Sequence, residues 1–198
     1  MKLRDTILGF ATELFLEQGY GATSIESVAA RAGVSKRTFY DRFPDKAVLF
    51  AAVVHGIIDH IRPPPDVPLL AGGSLPEILK RLAGLILKAT LSPQAIALHR
   101  LVTGESSRFP ELANAVENSG GQAEALALIA GLLAREMPKI QLSPQDQTFA
   151  AQQFIYMVVT IPQRRAIGFG TPMTQRELDE WADRSVALFL DGFKSLRQ

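Results

Sequence analysis

An all-α fold of nine or ten helices is predicted by three features of this 198-residue chain. Apolar residues recur at spacings of three and four, which places them on one side of a helix. Helix-start signals also recur: a Ser or Thr with Glu three residues on (Thr23–Glu26, Ser74–Glu77, Thr174–Glu177), or Ser directly before Pro (Ser92–Pro93, Ser143–Pro144). Strand alternation is missing throughout. The one ambiguous run, residues 154–161, is apolar and β-branched enough for a buried strand, but its long Gln-rich approach favours a helix.

In chain order, residues 5–18 read as an amphipathic helix with Ile7, Ala11, Leu14 and Phe15 on one face and Gly19 as its stop. The stretch 23–46 reads as two short helices joined by a tight turn. Thr23 and Glu26 have capping-box spacing, and Ile25, Val28, Ala29 and Ala32 form one apolar stripe. Gly33 supplies the sharp exit, Val34 fills the space between the helices, and Ser35 caps the second helix. That helix is expected over 36–42 and is stopped by Pro44, because the residue before a proline avoids the α region. A fourth helix follows Asp45 and runs to about His60, where Arg62-Pro63-Pro64-Pro65 cannot continue it. Further helices are expected over 75–89, 93–107, from Pro110 with a pause at Gly120-Gly121 and resumption over 122–136, from Pro144, and over 175–196.

The second helix of the pair carries the functional argument. Phe39 and Phe43 are four apart and point inward, which leaves Lys36, Arg37, Thr38, Tyr40 and Asp41 to the sides and outer face. Such a helix suits the major groove, which admits one helix. From Arg31 to Lys46 there are five cations and two carboxylates, a net of +3, while the whole chain is +1. Basicity is therefore concentrated where the motif lies, as nucleic-acid contact requires. A basic pair on an isolated helix is ordinarily a solvated face; the turn-helix context reverses that reading. Arg37 is the better base reader, because a guanidinium can fork onto guanine O6 and N7, whereas Lys36 suits either a base or a phosphate. Ser35, Thr38 and Tyr40 suit phosphate, as does Thr23 from the first helix's start and Lys46 from the first turn of the next helix. Tyr40 has a second reading, as a wedge in the head's own core.

The run G-V-S-K-R-T-F-Y-D-R-F-P-D-K resembles the helix-turn-helix signature of the tetracycline-repressor (TetR) family, with Gly33-Val34-Ser35, Tyr40, Phe43 and Lys46 in register. This covers roughly the first 60 residues, and 99–113 is similar to a stretch in effector domains of some members. The resemblance implies a DNA-binding domain over 1–46 and a helical ligand-binding and dimerisation domain over 47–198. It also implies a homodimer on a palindromic operator of double-stranded DNA, and a repressor released by a small-molecule effector. Arg37 and Asp41 occupy positions that vary between members, so the operator sequence is not inherited.

Two candidate sets lie in the larger domain. His99, Thr103, Glu105 and Arg108 are expected to supply polar groups to a largely apolar effector pocket; a hydrogen-bonded interior histidine is the other reading of His99. The last two helices are apolar on more than one side, a pattern that fits either burial inside their own domain or a second partner, and the two half-sites of a helix-turn-helix dimer favour the partner. Phe154, Met157, Val158, Leu178, Trp181, Ser185, Leu188 and Phe189 are the expected dimer contacts, with Phe193 and Leu196 continuing a stripe.

Composition closes off other classes. Apolar residues at 47% and charged residues at 21% exclude a wholly disordered chain. With no cysteine, disulfides and thiolate metal sites are unavailable. His55 and His60 do not share a helix face, so no metal or other cofactor is expected. Glu13 and Glu17 interrupt the first apolar stretch, and the uncharged run 147–163 holds four glutamines, short of the ~20 apolar residues of a membrane span. A cytoplasmic protein without membrane association is the expectation. No G-x-S-x-G, H-E-x-x-H, P-loop or cysteine nucleophile is present, so an enzyme is not expected. The alternatives are a small-molecule-binding enzyme or a helical adaptor that binds only protein; neither accounts for the basic head.

Overall fold

The computed structural model describes residues 2–62, 72–136 and 142–195, and side chains from 3 to 192 within those bounds. Helices are α1 (Lys2–Gln18), α2 (Ile25–Arg31), α3 (Lys36–Tyr40), α4 (Lys46–Ile61), α5 (Leu75–Thr90), α6 (Pro93–Glu105), α7 (Glu111–Glu117), α8 (Gly121–Glu136), α9 (Pro144–Ala166) and α10 (Gln175–Ser195). No strand occurs among the described residues, and 154–161 lies inside α9. The Pro-rich part of the connector expected after α4, the side chain of Phe193 and all of Leu196 lie outside the described residues.

Packing divides the chain into residues 1–61 with 93–120, and residues 62–92 with 121–198. The packing does not divide at the expected cut after residue 46. In the first unit α1, α2, α3, α4, α6 and α7 share one core. Its aromatic centre is Phe15, Tyr20 and Phe50, with Phe15–Phe50 and Tyr20–Phe50 ring centroids each 5.4 Å apart at near-perpendicular angles. Phe39 and Phe43 are sealed in the same core, their centroids 5.8 Å apart, and anchor α3 from below. Truncating either to Ala removes a fully buried ring, at a cost of about 3–5 kcal/mol.

Two local expectations shift. The capping box of α2 is built by Ser24 and Ser27, not by Thr23 and Glu26: Ser27 N donates to Ser24 Oγ at 3.0 Å and Ser24 N to Ser27 Oγ at 3.2 Å. The sequence T-S-I-E-S offers both registers, and burial of Thr23 decides between them. Helix α3 is five residues long rather than seven, since Asp41 caps it and Arg42 and Phe43 turn back onto the Phe39 carbonyl. Gly33 behaves as expected, with φ +67° and the Val34 amide returned to the Ala29 carbonyl.

The second unit packs α5, α8, α9 and α10 around Leu79, Leu133, Phe154, Val158 and Val186. Helix α9 carries Pro162 inside its length, where the missing N–H leaves the Val158 carbonyl without its helical donor. The indole N–H of Trp181 on α10 donates to that carbonyl at 3.0 Å. A defect in one helix is thus closed by a side chain from the next.

Candidate nucleic-acid interface

The reading surface begins with how α3 is held. Ser35 caps it, accepting from the Thr38 amide at 3.1 Å, and the Ser35 and Thr38 hydroxyls lie 2.8 Å apart. With Phe39 turned inward, Lys36, Arg37 and Tyr40 stand exposed on one short helix, and Thr38 is half-buried. Tyr40 is 46% exposed, with its ring edge-on to Phe39 at 5.9 Å, so its phenol is not the core wedge of the second reading. This arrangement offers two cations and several hydroxyls on one face, with a hydrophobic back that fixes their position.

Lys36 is not idle in the free protein. Its Nζ lies 2.8 Å from Glu26 Oε1 on α2, which raises the lysine's pKa and lowers the carboxylate's. Both groups are more than half exposed, so the pair adds little stability. It does place a negative charge beside the basic face, a charge that a count begun at Arg31 leaves out. Arg31 is drawn the other way, to Glu13 at 3.6 Å and over the Phe10 ring.

Thr23 leaves the phosphate-binding set. It is 2% exposed, and its hydroxyl donates to the Leu14 and Gly19 carbonyls at 3.2 and 2.8 Å. A buried hydroxyl with both bonds inside the protein has no reach to a phosphate. Lys46 is half-buried, with Nζ 4.2 Å from the Tyr20 ring centroid. Burial lowers its pKa, opposed by the Glu105 and Glu111 carboxylates.

The expected effector residues differ in exposure and in partners. His99 is half-buried on α6, where burial lowers its pKa. Thr103 faces solvent, and exposed Arg108 lies over Phe109 at 5.2 Å. Glu105 is engaged elsewhere: its two oxygens accept from the Tyr20 amide at 3.0 Å and the Gly21 amide at 2.8 Å. Burial pushes the Tyr20 phenol's pKa well up, and so does the hydrogen bond it donates to Glu111 at 3.0 Å. Residues 99–113 therefore serve the head's unit, and no spacing rule in the sequence announces these long-range bonds.

The expected dimer residues divide by exposure. Phe154, Val158, Ser185 and Phe189 are buried in their own protomer, Met157 and Leu178 are half-buried against its core, and half-buried Trp181 is tied to the Val158 carbonyl. Leu188 stands out, 66% exposed. The outward apolar residues of α9 are Phe149, Tyr156 and Ile161, none of which the sequence pattern singled out. Phe149 and Tyr156 are seven apart, a helical signal that was available. Among the described residues no cluster of His and carboxylates could hold a metal ion, and no helix is long and apolar enough to cross a membrane.

Comparison with known proteins agrees with this geometry. Residues 7–53 match the family model of bacterial regulatory proteins of the tetR family, and residues 77–194 match the C-terminal domain of AefR-like transcriptional repressors. A TetR-family regulator from Mesorhizobium loti MAFF303099 is 28% identical over 96% of both chains, with a TM-score of 0.79. The flavonoid-responsive regulator FrrA is 31% identical over 96% of both chains, also with a TM-score of 0.79. The HTH-type transcriptional regulator Rv1556 of Mycobacterium tuberculosis is 35% identical over 58% of this chain and 54% of its own length. The transcriptional activator FasR of Mycolicibacterium smegmatis is 38% identical over 29% of this chain and 26% of its own. The match thus spans about half, or less, of the length of these two curated relatives.

Proposed function

This chain belongs to the TetR family of transcriptional regulators, and from that premise we propose that it binds operator DNA as a homodimer and is released by a small-molecule effector. The observation that carries this reading is the pairing of an inward Phe39–Phe43 anchor with an outward Lys36, Arg37 and Tyr40 on α3. A rigidly backed helix presenting a guanidinium fits direct reading of base edges in the major groove. Ser35, Thr38, Tyr40 and Lys46 contribute phosphate contacts, and Lys46 exchanges the Tyr20 ring for a phosphate on binding. The proposed division of labour gives DNA contact to 1–46 and ligand and partner contact to 47–198, with 93–120 packed in the same unit as the head.

A single short helix holds DNA weakly, and two-fold assembly supplies a second one at the next turn of the duplex. The exposed apolar faces of α9 and α10, with Phe149, Tyr156, Ile161 and Leu188, are the surfaces such a dimer would cover. Repression is the expectation carried by the AefR-like match; the likeness to FasR keeps activation as the competing outcome. FrrA is named for its response to flavonoids, which makes planar polyphenols the first effector class to test here.

Selection of bound duplexes from a random DNA pool tests the whole reading, with a palindrome expected. If each protomer neutralises three or four phosphates, log K falls against log salt with a slope of roughly −5 to −7. Failure to retain any duplex at low ionic strength would refute it. Adding flavonoids to the recovered complex then separates a released repressor from a regulator indifferent to that class.

A further inference from the structure

We propose that Glu105 is a positioning residue for DNA binding: its carboxylate holds the turn between α1 and α2, and with it the helix-turn-helix, on the corner between α6 and α7. The inference rests on the DNA-binding function proposed above and concerns how the reading surface is kept in place.

Glu105 ends α6 and lies far along the chain from the head, yet its two oxygens take the amides of two consecutive residues, Tyr20 at 3.0 Å and Gly21 at 2.8 Å. A carboxylate that accepts two backbone N–H groups makes stronger bonds than a neutral acceptor and fixes orientation as well as distance. The flanking glycines are what let it in. Gly19 has φ +86°, and a Cβ there would collide with Glu105 Oε1. A Cβ on Gly21 would lie 3.2 Å from Oε2 and 3.3 Å from the Phe109 ring. The sequence Gly19-Tyr20-Gly21 is thus a seat shaped for this side chain.

The seat is wired directly to α2. The Thr23 hydroxyl ties the same loop to the Leu14 and Gly19 carbonyls, and Ser24, the next residue, caps α2. The Tyr20 side chain reinforces the clamp from the other side. Its ring packs on Phe15, Phe50 and Phe109, its hydroxyl donates to Glu111, and its face carries Lys46. Movement of the α6–α7 corner therefore displaces the start of the reading motif and the lysine beside it together.

Sign distinguishes positioning from bulk electrostatics. Glu105→Gln removes a negative charge from a DNA-binding unit, which by Coulomb attraction alone tightens binding. Loss of the clamp weakens it, because the Gln amide group presents a donor to one of the two N–H groups. With the full-length protein at 10 °C and the duplex recovered by selection, Glu105→Gln should lose about tenfold in affinity with an unchanged salt slope. Gly21→Ala, which leaves every charge in place and crowds Oε2, should lose affinity in the same direction. In both variants hydrogen exchange at the Tyr20 and Gly21 amides should accelerate at least tenfold relative to the α4 amides. Circular dichroism at the same temperature confirms that the variants are folded. A residue that serves only stability would lower the melting temperature and leave affinity at 10 °C unchanged. Equal or tighter binding by Glu105→Gln, or unchanged exchange at the two amides, overturns the clamp alone. If the wild-type protein binds no duplex, the proposed function falls, and this role falls with it.

Discussion

Replacing Trp181 by Phe removes the bond that closes the gap in α9. Pro162 has no N–H, so the Val158 carbonyl four residues back depends on the Trp181 indole at 3.0 Å. Val158 is fully buried, so water is a poor substitute at that carbonyl. Leaving a buried acceptor without a donor costs about 1–3 kcal/mol. Trp→Phe also loses ring volume, so the single variant does not separate packing from hydrogen bonding. Repeating the change on Pro162→Ala does, because an alanine in place of the proline regains an N–H aimed at the same carbonyl. The volume loss is common to both backgrounds, and the orphaned acceptor exists only in the proline one. Trp181→Phe should therefore be less costly on Pro162→Ala by about 1 kcal/mol, the worth of one hydrogen bond. Urea unfolding followed by far-UV circular dichroism measures the difference, at one fixed protein concentration because the proposed dimer would make apparent stability concentration-dependent. Tryptophan fluorescence is unsuitable, since the chain has a single Trp and the variant removes it. An equal cost of Trp181→Phe in both backgrounds would show that the indole contributes only bulk.

Three further outcomes follow from the site and its supports. Arg37→Ala should weaken operator binding by about 1–3 kcal/mol and relax preference at one base pair per half-site, whereas Tyr40→Phe should weaken all duplexes alike; binding to a panel of single-base operator variants checks both. If the roles are reversed in that panel, the base-reading assignment of Arg37 is lost. Leu188→Arg puts a charge on a residue already 66% exposed, so it should yield folded monomers by sedimentation, and a persistent dimer would move the interface elsewhere. Burial depresses the His99 pKa below its ordinary 6.5, so folding favours the neutral imidazole. Its contribution is present above about pH 6.5 and is lost as pH falls toward the depressed value. His99→Gln should flatten that part of the stability–pH curve, and a curve of unchanged shape would assign the acid sensitivity to other groups.

How much of this was legible in the sequence depends on the range over which each feature is determined. The helix-turn-helix was legible because its logic is local: Gly33 for the turn, Ser35 for the cap, and Phe39 and Phe43 one turn apart for the anchor. The start of α2 was legible to within one residue. T-S-I-E-S satisfies capping spacing from either Thr23 or Ser24, and only the tertiary burial of Thr23 chooses. Pattern also showed that α9 and α10 each carry more apolar surface than one neighbour needs. It offers no means of telling which stripe meets the protomer's own core, where Phe154, Val158 and Phe189 lie while Tyr156 is exposed. The role of Glu105 was invisible for a stronger reason. A carboxylate at the end of one helix finds two amides more than eighty residues earlier, and neither partner is marked by its own neighbours.

The head's unit is assembled from two pieces of chain, 1–61 and 93–120, with 62–92 running through the other unit between them. That interleaving limits how the protein could be recombined with its relatives. A graft that exchanges only the first sixty residues would deliver Tyr20 and Ile57 without the Glu105, Leu101 and Leu112 they pack against. Swapping operator specificity by exchanging whole modules thus requires both pieces to travel together, whereas rewriting a few side chains on α3 leaves the shared core untouched. The economical route to a new binding sequence in this architecture is point substitution.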